Sequence, residues 1–320
     1  MSEPALPQPK EEPQDLGFGS KVSGRLRLRL LNPDGTFNVK REGVSPFESL
    51  SLYHAMVTMA WPKFYLCILG LYFALNTLFS FGYMLCGPGS LNGANGITLL
   101  GRFQDAFFFS VQTFTAVGYG HLTPNGLGPN LLVTFETFVG LVGFAIAAGL
   151  LIARFSRPTA KIRFSKVAVI APYREGIPGF EFRIANVRRN QLMEVQARVI
   201  FSWMEVENGR KLRRFSELKL ERSKVTFLPL HWVIVHPIDE ASPLKHLTQE
   251  DLEKSHAEFL INITAIDDTY SQTVHARSSY TSEEIVWGAR FADLFQYSDG
   301  GLISADLQHL SDVEQAGELG

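Results

Sequence analysis

The chain has 320 residues, a formal net charge of -2 and 46% hydrophobic residues, a length that asks for two or three structural units rather than one core. Charge so close to balance, with no basic run interleaved with aromatics, argues against nucleic-acid binding. The 2 cysteines, Cys67 and Cys86, have no zinc-ligand spacing and, on one helix rising about 1.5 Å per residue, stand too far apart to bridge; they read as small apolar fillers.

Residues 1–24 open with "MSEPALPQPKEEPQD", rich in Pro and Glu and without the apolar stretch of a signal peptide, so a disordered tail is expected. An N-terminal segment over 25–46 follows. Across 47–60, Phe47, Leu50, Tyr53, Val57 and Ala60 recur at helical spacing, which predicts an amphipathic helix lying at a membrane interface or packed on a soluble domain. Trp61 and Lys63 would anchor the turn into the bilayer.

Residues 61–157 form the membrane module. "FYLCILGLYFALNTLFSFGYMLC" carries no charge, and "LLVTFETFVGLVGFAIAAGLLIARF" holds one acid, Glu136. Each is long enough to cross hydrocarbon, predicting spans over about 62–87 and 129–157. Between them a half-helix over about 102–114 is too short to cross and is expected to be re-entrant. Lys40, Arg41 and Lys63 precede the first span and Arg154, Arg157, Lys161 and Arg163 follow the second, whereas Arg102 stands alone between them. Both termini should therefore be cytoplasmic. Gly140, Gly143 and Gly149 are either hinges or close-packing points. From 158 to 298, alternating runs such as "GFEFRIA", "EVQARVIFSW" and "EFLINITAI" predict an immunoglobulin-like β-sandwich. Residues 299–320 read as a loose tail or a short docking helix.

The stretch that needs explaining is "TAVGYG", Thr115 to Gly120, placed after the half-helix. Irregular backbone at membrane depth persists only where it is buried in protein or lines an aqueous path. Gly118 and Gly120 adopt backbone conformations that residues with a Cβ avoid, which lets successive carbonyls turn to one side and replace the hydration shell of a cation. Val117 and Tyr119 would then pack outward against the half-helix. This looks like a potassium-channel selectivity filter, with K⁺ at the carbonyls of Thr115, Ala116, Val117, Gly118, Tyr119 and Gly120. One chain supplies a quarter of each carbonyl ring, so a homotetramer is implied.

Two spans, an amphipathic segment before them and a β domain after them, together with "LLNPDGTFNVKREG", "MAWPKF", "DAFFFSVQT", "ARFSRP", "HPIDEASPL" and "HARSSY", resemble the inward-rectifier potassium channels, particularly the prokaryotic KirBac group. The resemblance implies a multi-pass protein of the cell inner membrane that conducts K⁺ as permeant ion, needs no cofactor and is not an enzyme. It departs at Ala116, where the family usually has Thr; at Phe144, where strong rectifiers have an acid or amide; and at Leu122 and Gln112, where eukaryotic relatives have an ion pair. A weakly selective cation channel of the same fold is the alternative that Ala116 raises.

The resemblance also assigns further positions. Ile152 matches the inner constriction. Glu136 is expected behind the filter or at the cavity mouth, adding negative potential. Lys63, Arg154, Arg157 and Lys161 form a basic belt suited to anionic lipid headgroups, or simply mark topology. Glu194 would stand on the wall of a cytoplasmic vestibule, and Asp267, Asp268, Ser271 and Gln272 at a loop that narrows it. The remote alternative, a membrane-tethered enzyme or binding module using His231, His236, Asp239 and His275, has no nucleophile motif or metal spacing behind it.

Overall fold

The computed structural model describes residues 29–38, 51–157, 160–174, 176–188, 190–207, 210–297 and 303–316. The expected tail over 1–24 and the first residues of the 47–60 segment lie outside them. Two compact units result, Glu42–Arg157 and a second made of Met1–Arg41 with Pro158–Gly320.

In the helical unit, α1 (Leu52–Thr58) starts where the Ser51 hydroxyl accepts the His54 N–H, a side-chain cap for an otherwise orphan donor. Helix α2 (Trp61–Leu85) starts with Pro62 in its first turn, where the missing N–H costs nothing. Strand β1 (Leu91–Asn92) pairs with β2 (Thr123–Pro124), tying the segment after the first long helix to the segment after the irregular loop. Between them α3 (Leu99–Phe114) is capped by Thr98, and α4 (Leu127–Phe155) completes the unit. Helices α2 and α4, with 25 and 29 residues, are long and apolar enough to cross a membrane. Two glycines set the spacing of this bundle. A Cβ at Gly82 would stand 2.8 Å from a Leu132 methyl, and one at Gly140 would stand 2.3 Å from the Phe114 carbonyl oxygen. Gly140 is therefore a close-packing point.

The second unit is a sandwich of two five-stranded sheets. Its strands are β3 (Ile162–Phe164), β4 (Ala168–Pro172), β5 (Pro178–Asn186), β6 (Leu192–Glu207), β7 (Arg210–Leu218), β8 (Lys224–Leu228), β9 (His231–Pro237), β10 (Glu258–Asp267), β11 (Gln272–Thr281) and β12 (Ile285–Trp287), with helix α5 (Gln249–Lys254) before β10. One sheet runs β11-β10-β6-β7 with β8 also on β6, and the other runs β12-β4-β5-β3 with β9 also on β5. Between them Phe180 stacks on Phe259 at 4.2 Å and Phe259 meets Phe201 at 5.1 Å.

A bulge in β6 shows how one residue resets a strand. Leu192 is buried, and so are Val195, Ala197, Val199 and Phe201, so the inward phase shifts from even to odd numbers. The pairing with β10 slips between Thr264 and Ile266, and Glu194 has φ of 52°. The extra residue turns both Leu192 and Val195 inward.

Residues 303–316 correct the expectation of a loose tail or docking helix over 299–320, because they pair and pack with residues just before them. Strand β13 (Ala289–Phe291) pairs with β16 (Val313–Gln315), and β14 (Phe295–Tyr297) pairs with β15 (Ile303–Ala305). Leu294 and Leu310 bury against Ala185, and Phe291 against Val169 and Ala171. This layer covers the second face of the β4-β5 sheet, which explains why "VAVIAP" is apolar without alternation. On the other sheet, Leu30 and Leu31 pack against Leu260 and give their amides to the Glu258 carboxylate at 2.8 and 3.0 Å.

Candidate functional site

The irregular loop after α3 is held by the helix's own last carbonyls. Thr115 N–H donates to Val111, Ala116 N–H to Thr113 at 3.0 Å, and both Val117 and Gly118 N–H donate to Gln112, at 2.9 and 3.3 Å. The chain has no cis peptide bond among its described residues, and in a trans peptide the carbonyl points opposite to the N–H it is joined to. The carbonyls of Thr115, Ala116 and Val117 therefore point away from the end of α3.

Beyond them the loop alternates. Ala116, Gly118 and Gly120 have φ of 56°, 54° and 79°, and Val117 and Tyr119 between them do not share that left-handed region. The glycines fit there without strain, whereas the Ala116 Cβ costs roughly 1–2 kcal/mol. The Thr115 hydroxyl donates back to the Val111 carbonyl, 2.7 Å away. Val117 and Tyr119 do not pack on α3 as expected. They are 54% and 77% exposed.

An apolar cavity of about 640 Å³ adjoins the inner end of the loop, with Thr115, Ala116, Gly140 and Phe144 among its lining residues. Phe144 itself is 77% and Ile152 66% exposed. Glu136 does not line that cavity and faces no solvent, so the cavity-mouth half of its expected placement is not met. It is fully buried between the three main helices, with Tyr83 Oη on one carboxyl oxygen and Ser110 Oγ on the other.

Arg154 departs furthest from its expected role. Its guanidinium sits 4.4 Å from the Trp61 ring centre and 4.5 Å from that of Phe64, and it donates to the carbonyls of Met56 and Met59. It is buried and ties the C-terminal end of α1 to the end of α4, completing helix-end carbonyls that have no partner within α1. It is not available to a lipid headgroup. Lys63, Arg157 and Lys161 are exposed.

In the β unit, Glu194 pairs with Lys224 at the bulge. Asp267 is fully buried and accepts from Asn190 Nδ2 at 2.7 Å and Thr269 N–H at 2.9 Å. It locks the β10-β11 turn and cannot present charge to an aqueous vestibule, which corrects its expected place. Asp268, Ser271 and Gln272 are exposed on the same hairpin, with Ser271 at φ 50°. His236 is spanned between the Lys219 carbonyl and the Ser242 hydroxyl, each 2.7 Å away, and burial lowers its pKa. His231 packs on Phe295, whereas His275 bonds Thr264 on the other sheet. These histidines do not converge, and the described residues contain no His, Cys, Asp and Glu group able to hold a metal.

Sequence reasoning passed over Tyr83, Asn76 and Ser110, whose polar atoms meet Glu136 or each other inside the helical unit. The available signal was an Asn and a Tyr seven residues apart in a span without charge.

Residues 162–318 match the family described as inward rectifier potassium channel C-terminal domain, and residues 94–157 match the family described as ion channel. Inward rectifier potassium channel Kirbac3.1 of Paramagnetospirillum magnetotacticum is 40% identical over 299 residues, which is 93% of this chain and 99% of that protein. Inward rectifier potassium channel 4 of Rattus norvegicus is 32% identical over 225 residues, covering 64% of this chain and 50% of that one. Inward rectifier potassium channel 18 of Homo sapiens is 27% identical over 300 residues, covering 86% and 69%.

Proposed function

This chain belongs to the inward-rectifier potassium channel family, and we propose that four copies surround one axis and conduct K⁺ through the carbonyls of Thr115 to Gly120. It is a membrane potassium channel subunit rather than an enzyme. The observation that carries the fourfold reading is the loop's one-sidedness. The amides of Thr115 to Gly118 are spent on α3, the carbonyls of Thr115, Ala116 and Val117 face away, and Val117 and Tyr119 are uncovered. At membrane depth such backbone is tolerated only in protein or along water, and neighbouring copies supply both.

In this reading the inner cavity and its exit are lined by Phe144 and Ile152, whose apolar rings close the path by dewetting. The apolar Phe144 leaves polyamine or Mg²⁺ without an anchoring charge. Lys63, Arg157 and Lys161 meet anionic lipid at the cytoplasmic leaflet of the inner membrane, each worth about 1 kcal/mol of attraction near the surface, with both termini on that side. Glu194, Asp268, Ser271 and Gln272 belong to the cytoplasmic part of the ion path.

One reconstitution tests this. Native mass should read four chains, and K⁺ flux into liposomes should exceed Na⁺ flux. Gly118→Ala should assemble but lose flux, since a Cβ in the left-handed region is added in all four copies. Lys63→Gln with Arg157→Gln should flatten the response to anionic lipid fraction. A conducting monomer or dimer, or equal K⁺ and Na⁺ flux, would overturn the filter reading, and an unchanged lipid response would leave those residues as topology signals.

A further inference from the structure

Inside the helical unit four side chains and one carbonyl make an unbranched line. Tyr83 Oη touches Glu136 Oε2 and Glu136 Oε1 touches Ser110 Oγ. Ser110 Oγ lies 3.0 Å from Asn76 Oδ1, and Asn76 Nδ2 donates to the Tyr72 carbonyl at 2.8 Å. The line crosses α2, α4 and α3 and returns to α2. Asn76, Ser110 and Glu136 have no exposed surface, so water cannot complete any of their bonds.

Counting hydrogens decides the charge state. The Tyr72 carbonyl can only accept, so the Asn76 amide must turn its nitrogen there and its oxygen to Ser110. Ser110 has one hydroxyl hydrogen and two oxygen neighbours, Asn76 Oδ1 and Glu136 Oε1. Were Glu136 a carboxylate, both neighbours would be pure acceptors, and one contact would set lone pairs against lone pairs with no water to relieve them. One proton on Oε1 resolves this. Tyr83 donates to Oε2, Oε1–H donates to Ser110, Ser110 donates to Asn76, Asn76 donates to Tyr72, and every contact holds one hydrogen. Among the described residues Tyr83 is the titratable group that touches Glu136. Asp105 on α3 is turned to the Asn95 and Gly96 amides, and Cys86 stands at the end of α2.

We propose that Glu136 is a neutral carboxylic acid whose hydrogen bond to Ser110 positions α3, and through it the ion filter. Ser110 lies two residues before Gln112, whose carbonyl holds the amides of Val117 and Gly118. A shift of α3 at Ser110 therefore moves the peptide units whose carbonyls face the ion. Glu136 is a positioning residue, and this role rests on reading 115–120 as the filter.

The test has a spectroscopic arm and a flux arm, both on the full tetramer in lipid. The infrared difference between wild type and Glu136→Gln at neutral pH should contain a carboxylic-acid C=O band and no carboxylate band; a carboxylate band overturns the proposal. Gln keeps an N–H for Ser110 and a carbonyl for Tyr83, so K⁺ flux, the Rb⁺/K⁺ flux ratio and Ba²⁺ block should stay at wild-type values. Glu136→Ala and Ser110→Ala, which cut the line, should shift that ratio and weaken block several-fold. Loss of flux or of Ba²⁺ affinity in Glu136→Gln would instead identify a needed negative charge. Wild-type ion ratios in Ser110→Ala would remove the positioning role. The infrared arm does not depend on conduction, so a wild type without K⁺ flux would count against the filter reading alone.

Discussion

In the β unit Phe180, Phe182, Phe201 and Phe259 are at most 1% exposed, whereas in the helical unit Val117, Tyr119, Phe144 and Ile152 are 54–77% exposed. The sandwich closes its aromatic core within one chain. The helical unit buries its polar line and leaves its apolar sides open. Lipid can cover the sides of a helix, but it cannot cover an irregular loop with polar backbone. The contrast separates a unit that closes its core within one chain from one that leaves its irregular loop uncovered, where the proposed fourfold assembly would supply the cover.

The largest test of that contrast is in the sandwich. Phe259 touches both Phe180 and Phe201, so Phe259→Ala should destabilise the β unit by about 3–5 kcal/mol. Urea titration of protease resistance in the full chain would read this, and the stack is idle if the midpoint does not move.

A middle-sized effect belongs to the open unit. Ala116→Thr would add one hydroxyl per chain at the inner end of the proposed filter, and Ba²⁺ block should tighten roughly three- to tenfold, the order of one recovered oxygen ligand at about 1 kcal/mol. The K⁺/Na⁺ flux ratio should rise modestly. The opposing term is a β-branched side chain at φ 56°, a conformation such residues rarely adopt. Weaker block in the variant would mean that strain outweighs the new ligand. Equal block in both proteins would mean that position 116 does not face the ion.

An effect of similar size is a pH dependence of the closed unit. Burial pushes the Glu181 carboxyl up from 4.5 to about 6, with Glu221 adding to the shift and Arg183 opposing it. Between those values the unfolded chain releases a proton that the folded chain retains, so Glu181 makes stability fall as pH rises, with no contribution below the window. Glu181→Gln should therefore raise β-unit stability by roughly 1–2 kcal/mol above pH 6 and leave it unchanged near pH 4. A gain of the same size at both pH values would place the effect in packing rather than titration.

The apolar spans, the half-helix, the Gly118 and Gly120 loop and the alternating strands were legible in the sequence because each depends on neighbours within a turn or a strand length. Charge cost, helix period and the need for φ above zero are local properties of the chain. The fates of the polar side chains were not local. Arg154 reads as a lipid-facing cation until Met56, Met59, Trp61 and Phe64, more than eighty residues away in sequence, enclose it. Asp267 reads as an exposed loop acid until Asn190 reaches it, and the segment around Leu310 reads as a tail until Ala185 and Leu294 offer it an apolar face. Glu136 reads as a charge until Ser110, Asn76 and Tyr83 arrive from two other helices and the hydrogens are counted. A polar atom in a site closed to water takes its state from whichever donor or acceptor folding brings beside it.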